Sequence, residues 1–173
     1  MTTAPFRFEV LGAGHDRAGF GCGDEALDKY FKTQVTQDIR RRITNCFVVV
    51  EGATGQVAAY YTLSAASIPL IDLPPEVGKR LPRYPTLPAV RIGRRAVDQR
   101  FQRRGLGELM LVNAVHRILQ DAAVAFALLV DTKSDEAAAF YQPYGFRSIM
   151  GSPRTLFLPL ATAQKTLLPK EER

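Results

Sequence analysis

The sequence predicts an α/β protein of the α+β kind, a central mixed β-sheet flanked by helices. Two β-type runs, Asn45 to Glu51 and Val57 to Leu63, lie on either side of the turn sequence Ala53-Thr-Gly-Gln and read as a hairpin. The second half of the chain then alternates strand, helix, strand, helix. That order implies a right-handed crossover and a locally parallel strand pair. A length of 173 residues suits one domain, expected over residues 1–160 and followed by a C-terminal tail at 161–173.

The elements follow in order. Phe6, Phe8 and Val10 alternate with Arg7 and Glu9, a short strand pattern. Gly12 to Gly23 is a glycine-rich turn region. From Asp24, a helix-capping residue, Ala26, Leu27, Tyr30, Phe31 and Val35 fall at helical spacing. After the hairpin, prolines at 69, 74, 75, 82, 85 and 88 punctuate a long connection with room for one short helix over 76–81. Ala89 to Val97 reads as a strand. Gly105 opens a helix with Leu106, Met110, Leu111, Ala114, Val115, Ile118 and Leu119 on its apolar side. Ala125 to Val130 is a continuous apolar strand. Asp135 to Tyr144 is a short helix stopped by Gly145, and Arg154 to Leu158 is a last strand. From Ala161 the chain reads as a charged, loose tail. No internal repeat or low-complexity tract occurs.

Composition narrows the function classes. With 46% hydrophobic and 23% charged residues the chain is globular in type. Its apolar runs are too short to cross a bilayer, and the start Met1-Thr-Thr-Ala-Pro has neither the basic head nor the apolar stretch of a signal peptide, so a cytoplasmic location is expected. Two cysteines, Cys22 and Cys46, exclude a disulfide framework and read as packed thiols. Two histidines, His15 and His116, without a cysteine cluster offer no protein-built zinc site, and no metal is expected.

Charge is distributed unevenly. The chain has 23 basic and 17 acidic residues, a net +6. Nine basic residues and one acid lie between Lys79 and Arg104, so that window carries +8 while the remainder carries −2. A basic segment on a near-neutral body suggests a polyanionic ligand. Arginine dominates the window, which favours phosphate recognition over solubility alone. Edge protection of a strand is the competing explanation.

The loop best placed for chemistry is Gln102-Arg103-Arg104-Gly105-Leu106-Gly107, between the strand ending at Asp98 and the helix that follows. A helix N-terminus offers unpaired N–H groups and partial positive charge to an anion. Glycines at 105 and 107 leave the backbone open to close approach, and the arginines add charge-assisted hydrogen bonds. Neither a Walker A motif nor a G-x-G-x-x-G fingerprint occurs.

This segment is similar to the Q/R-x-x-G-x-G/A pyrophosphate loop of the GNAT superfamily of N-acetyltransferases. Ala139-Phe140-Tyr141-Gln142-Pro143-Tyr144-Gly145-Phe146 resembles the same superfamily's F-Y-x-x-x-G-F segment. A narrower resemblance covers most of the chain. Phe20-Gly-Cys22-Gly23 with Leu27-Asp28 and Tyr30-Phe31 resembles the signature of the TacT/AtaT-like acetyltransferase toxins of bacterial toxin–antitoxin modules. So do Tyr60-Tyr61-Thr62-Leu63-Ser64, Leu81-Pro82-Arg83-Tyr84-Pro85, Arg94-Arg95-Ala96-Val97-Asp98 and Leu156-Phe157-Leu158-Pro159-Leu160. Three positions depart from that pattern. Arg95 replaces an apolar residue, and Arg103 and Ala59 each replace a common glycine.

The resemblance implies a GNAT fold whose splayed parallel strand pair, 89–97 and 125–130, takes acetyl-CoA. Backbone groups of Ala96 and Val97 would pair with the pantetheine arm. Gln102, Arg103, Arg104, Gly105, Leu106 and Gly107 would hold the pyrophosphate, and Ala138 would lie beside the cofactor. Tyr141 would be the general acid that protonates the departing thiolate. No residue stands out as a base for the attacking amine, since both histidines lie outside the motifs. A free α-amino group has a pKa of about 8, against about 10.4 for a lysine, so an aminoacyl ester needs less help than a protein lysine. The implied acceptor is therefore aminoacyl-tRNA, with Arg80, Arg83, Arg91, Arg94 and Arg41 as candidate contacts. A ribbon-helix-helix antitoxin is the implied partner, and a homodimer is left open. Two other classes remain at this level: an acetyltransferase of small amines or protein N-termini, and an idle acetyl-CoA-binding interaction module.

Overall fold

The computed structural model describes residues 5–121 and 124–168. Seven strands form one mixed sheet in the order β1-β2-β3-β4-β5-β7-β6. The strands are β1 Phe6–Val10, β2 Asn45–Glu51, β3 Val57–Pro69, β4 Thr86–Val97, β5 Ala127–Asp131, β6 Arg147–Ile149 and β7 Ser152–Pro159. The helices are α1 Glu25–Lys29, α2 Val35–Arg40, α3 Pro75–Gly78, α4 Leu106–Gln120, α5 Asp135–Tyr141 and α6 Leu160–Leu167. The mixed sheet with flanking helices is the predicted fold class. The chain divides into two compact units. One contains the described residues up to Ser64 with Gly93–Asn113, and the other contains Ala65–Ile92 with the described residues from Ala114 onward.

In the first unit β1, β2 and β3 run antiparallel, and a bulge between Val49 and Val50 shifts the β2–β3 register. The rings of Phe20, Phe31 and Tyr60 form its centre. Phe31 stacks on Tyr60 with centroids 4.2 Å apart, and Phe20 meets both edge-on. Tyr60 solves its buried hydroxyl by donating to the Leu27 carbonyl at 2.7 Å.

The first helix is not the regular one the spacing suggests. Asp24 caps it as expected, accepting from the Ala26 and Leu27 N–H groups. Residues Tyr30–Gln34 then form a π turn, in which the Val35 N–H donates to the Tyr30 carbonyl, before α2 resumes the α-helical ladder.

In the second unit β4 and β5 pair in parallel from Ala89↔Ala127 to Ile92↔Val130, and β5 pairs antiparallel with β7. The predicted parallel pair is thus present, although β4 continues to Val97, beyond the last parallel pair. Ile68, Leu87, Leu129 and Phe157 are packed in this unit's core. Two expectations are corrected here. The tail read as loose from Ala161 is helical through Leu167, because Leu160, Ala163 and Leu167 recur at helical spacing and are buried. The short β6, absent from the sequence reading, is too brief for periodicity to reveal and exists through its pairing with β7. Of the residues assigned to the tail, 169–173 lie outside the described ones.

Phe31 has no exposed surface and belongs to the first unit's aromatic centre. Phe31→Ala is expected to lower unfolding free energy by about 3–5 kcal/mol. In urea titration the midpoint should fall without a change in slope.

Candidate active site

The loop after β4 is organised by Asp98, whose side chain is almost fully buried. It accepts from the Gly21 N–H at 3.0 Å and from the Arg100 N–H at 2.8 Å. The Arg100 guanidinium adds a two-pronged pair, Nε at 2.9 Å and Nη2 at 3.1 Å. Burial opposes the carboxylate's charge, but Arg100 and the two backbone donors outweigh it and hold the carboxyl below its ordinary range. In return the Gln99 N–H donates to the Gly21 carbonyl at 2.8 Å. The start of the loop is therefore tied to the Phe20–Gly23 segment at both backbone and side-chain level.

Gln102 continues this tie. Its Nε2 donates to the carbonyls of Val97 and Cys22, each at 3.1 Å. The side-chain amide thus positions the loop, and the Val97 carbonyl already accepts one bond from within the chain. Ala96 is buried in the first unit's core, so its methyl faces protein. Beyond Gln102 the chain turns through two left-handed positions, Arg103 at φ 64° and Gly105 at φ 76°. A Cβ at Gly105 would meet no atom within 4 Å, so the space over that peptide is open. Leu106 is buried and anchors α4, whose ladder begins with the Leu109 N–H donating to the Gly105 carbonyl at 3.2 Å. Gly107 lies in the first turn. Arg103 is exposed. Arg104 reaches over the Phe101 ring at 5.3 Å and lies 3.8 Å from Glu51. Two exposed arginines, two left-handed turns and the start of a fifteen-residue helix suit a pyrophosphate.

Tyr141 ends α5 in the second unit. The helix is capped by Ser134, which accepts from the Ala137 N–H at 3.1 Å. Tyr141 is buried, its ring edge-on to Phe140 at 5.0 Å and to Phe146 at 5.1 Å. Ala138 lies one turn earlier and is also buried. Gly145 has φ 96°, and a Cβ there would press to 3.4 Å on Leu158. The aromatic-tyrosine-glycine-phenylalanine spacing thus has a packing cause: Gly145 reverses the chain and Phe146 returns to clamp the Tyr141 ring.

The candidate nucleic-acid contacts separate into groups. Arg80 and Arg83 are exposed in the second unit. Arg91 is paired with Asp131, so its charge is largely neutralised in place. Arg94 lies over the Tyr30 ring at 3.6 Å. The Tyr30 hydroxyl donates to Asp38 at 2.8 Å, and that bond, with charge from Arg94 and Arg41, lowers the Asp38 carboxyl. Arg41 and Arg94 thus belong to one surface network, which the sequence reading missed because the π turn creates it. A further miss is the concavity of about 570 Å³ beside Tyr84, lined in part by Lys79 and Arg83.

Both thiols are held toward the neutral form. Burial, then a bond with Asp28, pushes Cys22 up to about 11, and burial pushes Cys46 up to about 12. His15 accepts from the Gly12 N–H at Nδ1 and donates from Nε2 to Glu9 at 2.6 Å, a structural arrangement in the N-terminal loop. No group of histidine, cysteine and carboxylate side chains able to hold a metal occurs among the described residues.

Residues 79–156 match the family model for the acetyltransferase (GNAT) domain. A tRNA-acetylating toxin of Mycobacterium tuberculosis is 31% identical over 151 residues, 86% of this chain and 89% of that protein. The chain belongs to the TacT- and AtaT-like branch of the GNAT acetyltransferases. It is also 29% identical over 162 residues to a probable toxin TacT of Sinorhizobium fredii, covering 88% of this chain and 90% of that one. Among solved structures it is similar to AtaT complexed with acetyl-methionyl-tRNAfMet. The TM-score is 0.84 at 27% identity, over 92% of this chain and 98% of that one. The GNAT chain described here is accordingly an N-acetyltransferase, and GNAT acetyltransferases use acetyl-CoA.

Two outcomes test the loop. Gly105→Ala places a side chain in a left-handed position and should cost about 1 kcal/mol of stability, with weaker acetyl-CoA binding in calorimetry. Arg103→Gly should leave stability within about 1 kcal/mol of wild type, since relief of the same conformation offsets glycine's unfolded-state freedom.

Asp98 gives a pH dependence. Its folded pKa lies below the unfolded value of about 3.9, so its contribution is complete above that pH and lost as pH falls through the folded pKa. Chemical denaturation from pH 6 down to about pH 2 should show wild type losing stability over that acid window. Asp98→Asn should be less stable at pH 6 and lack that part of the loss.

Proposed function

We propose that this GNAT enzyme transfers the acetyl group of acetyl-CoA to the α-amino group of aminoacyl-tRNA in the cytoplasm, blocking translation until a ribbon-helix-helix antitoxin covers it. The observation that carries this reading is the likeness, over nearly the full length of both chains, to AtaT solved with acetyl-methionyl-tRNAfMet. The exposed cations at Arg80, Arg83 and Arg41 support a polyanionic acceptor over a small cationic amine.

Bound acetyl-CoA supplies an activated thioester. The loop from Gln102 to Gly107 takes its pyrophosphate on backbone N–H groups at the start of α4, with Arg103 and Arg104 supplying countercharge. Ala96 and Val97 offer the strand backbone to the pantetheine arm, and Ala138 lies beside it. The neutral α-amine attacks the carbonyl carbon, a C–N bond forms, and the C–S bond breaks. Tyr141 gives the departing sulfur its proton from the phenol. The ammonium proton leaves to solvent. An α-amino group with a pKa of about 8, lowered further by the adjoining ester, needs no dedicated base.

The test is incubation of purified protein with labelled acetyl-CoA and a pool of charged tRNAs at two salt concentrations. Label on aminoacyl-tRNA that fades steeply with salt is the expected result. Label only on polyamines or protein amines would establish the other acceptor class. Tyr141→Phe should retain acetyl-CoA binding and slow transfer by roughly 10²–10⁴. Wild-type turnover in that variant would assign the acid to another group.

A further inference from the structure

The second unit carries a concavity of about 570 Å³ in the proline-rich connection between β3 and β4. That volume falls in the ~300–1,000 Å³ range of small-ligand sites. Leu70, Ile71 and Pro85 supply apolar walls, and Lys79, Arg83 and Tyr84 bring two cations and an aromatic ring. Ile71 is 87% exposed and Tyr84 63% exposed, so neither is used by the core. The chain is held in this shape from both ends. The Leu70 N–H donates to the Pro85 carbonyl at 3.0 Å, and the α3 turn is closed by the Gly78 and Lys79 N–H groups on Pro74 and Pro75. Proline at 69, 74, 75, 82 and 85 limits its conformational freedom further. The nearby acid Glu76 is paired with Arg147, which leaves Lys79, Arg80 and Arg83 dominant at this edge.

An exposed ring beside two cations over an apolar wall is the combination that takes an unpaired nucleotide. The base stacks on the ring and the phosphates meet the cations. A free acetyl acceptor of low mass carries neither a base for the ring nor phosphates for the cations, and an acidic peptide would use the cations but not the exposed ring face. We infer that the Tyr84 concavity binds an unpaired nucleotide of the acceptor RNA, with Tyr84 stacking on the base and Lys79 and Arg83 on the flanking phosphates. This rests on the proposed transfer to aminoacyl-tRNA and adds to it a base-stacking subsite separate from Tyr141 and the loop at 102–107.

The experiment measures fluorescence anisotropy with the full chain and three labelled probes: a five-nucleotide RNA ending in CCA, an abasic RNA of equal length and an acidic peptide. Tyr84→Ala should weaken binding of the RNA roughly ten-fold, while Tyr84→Phe keeps it. The abasic probe should bind both variants and wild type alike, since only its phosphates remain. Tyr84 is exposed, so folding is not at stake, and unchanged melting temperature of the variants checks this. Equal RNA affinity for wild type and Tyr84→Ala, or a Tyr84 effect seen only with the acidic peptide, overturns the inference. Acetylation of aminoacyl-tRNA by wild type is scored in parallel. Its absence overturns the functional reading, and its presence with unchanged RNA affinity in Tyr84→Ala overturns the subsite alone.

Discussion

A buried carboxylate organises the cofactor loop. Asp98 sits where β4 ends, and everything downstream of it depends on how that strand turns into α4. With nearly no contact to water, its charge requires partners, and it finds them in Arg100 and in the backbone of Gly21 and Arg100. The same contacts hold the N-terminal loop against the strand end. Gln102 repeats the arrangement one step later by joining Cys22 to Val97. Loop residues that would meet an anion are thereby left to turn freely outward, because those next to them carry the attachment.

The arginine-rich segment shows how misleading a count of charges is until each partner is known. Arg100 serves Asp98, Arg91 serves Asp131, and Arg104 leans on Phe101 near Glu51. Arg94 is flattened against Tyr30. Arg80, Arg83 and Arg103 stay exposed. Only part of the +8 over 79–104 is therefore presented to a polyanion. Guanidinium suits this division of work, since it can stack on a ring or grip a carboxylate in plane while lysine acts as a point charge.

Much of this was legible in the sequence. The hairpin around Ala53-Thr-Gly-Gln, the parallel pair and the helix opened after Gly105 all follow from periodicity and turn residues. Gly145 was readable as a helix stop, and its left-handed φ agrees. The positions that escaped are those set by tertiary partners. Nothing local distinguishes Asp98 from a surface aspartate, because its meaning comes from Gly21, seventy-seven residues away. The bracing role of the Gln102 side chain, between Cys22 and Val97, comes from tertiary partners in the same way. α6 was hidden by the weak helix signal of the small and polar residues between its buried positions, Leu160, Ala163 and Leu167. Tyr84 stood out only as part of the Leu81–Pro85 motif, since an exposed aromatic among prolines has no periodicity to mark the concavity beside it.

The π turn at Tyr30–Gln34 has a consequence for how the first helix tolerates change. In a regular α-helix, residues eight apart differ by about 80° in azimuth. Five residues wound at the slower π pitch absorb most of that angle, which is how the Tyr30 hydroxyl meets Asp38. The segment therefore works as a phase adjuster. Removing one residue from it would yield a more regular helix by every local measure. Tyr30 and Asp38 would then stand seven apart, about 20° from alignment, so Asp38, Arg40 and Arg41 would keep nearly the same face toward Tyr30 and Arg94. Loss of a single residue is then best tolerated here, at the point where the helix looks least ideal.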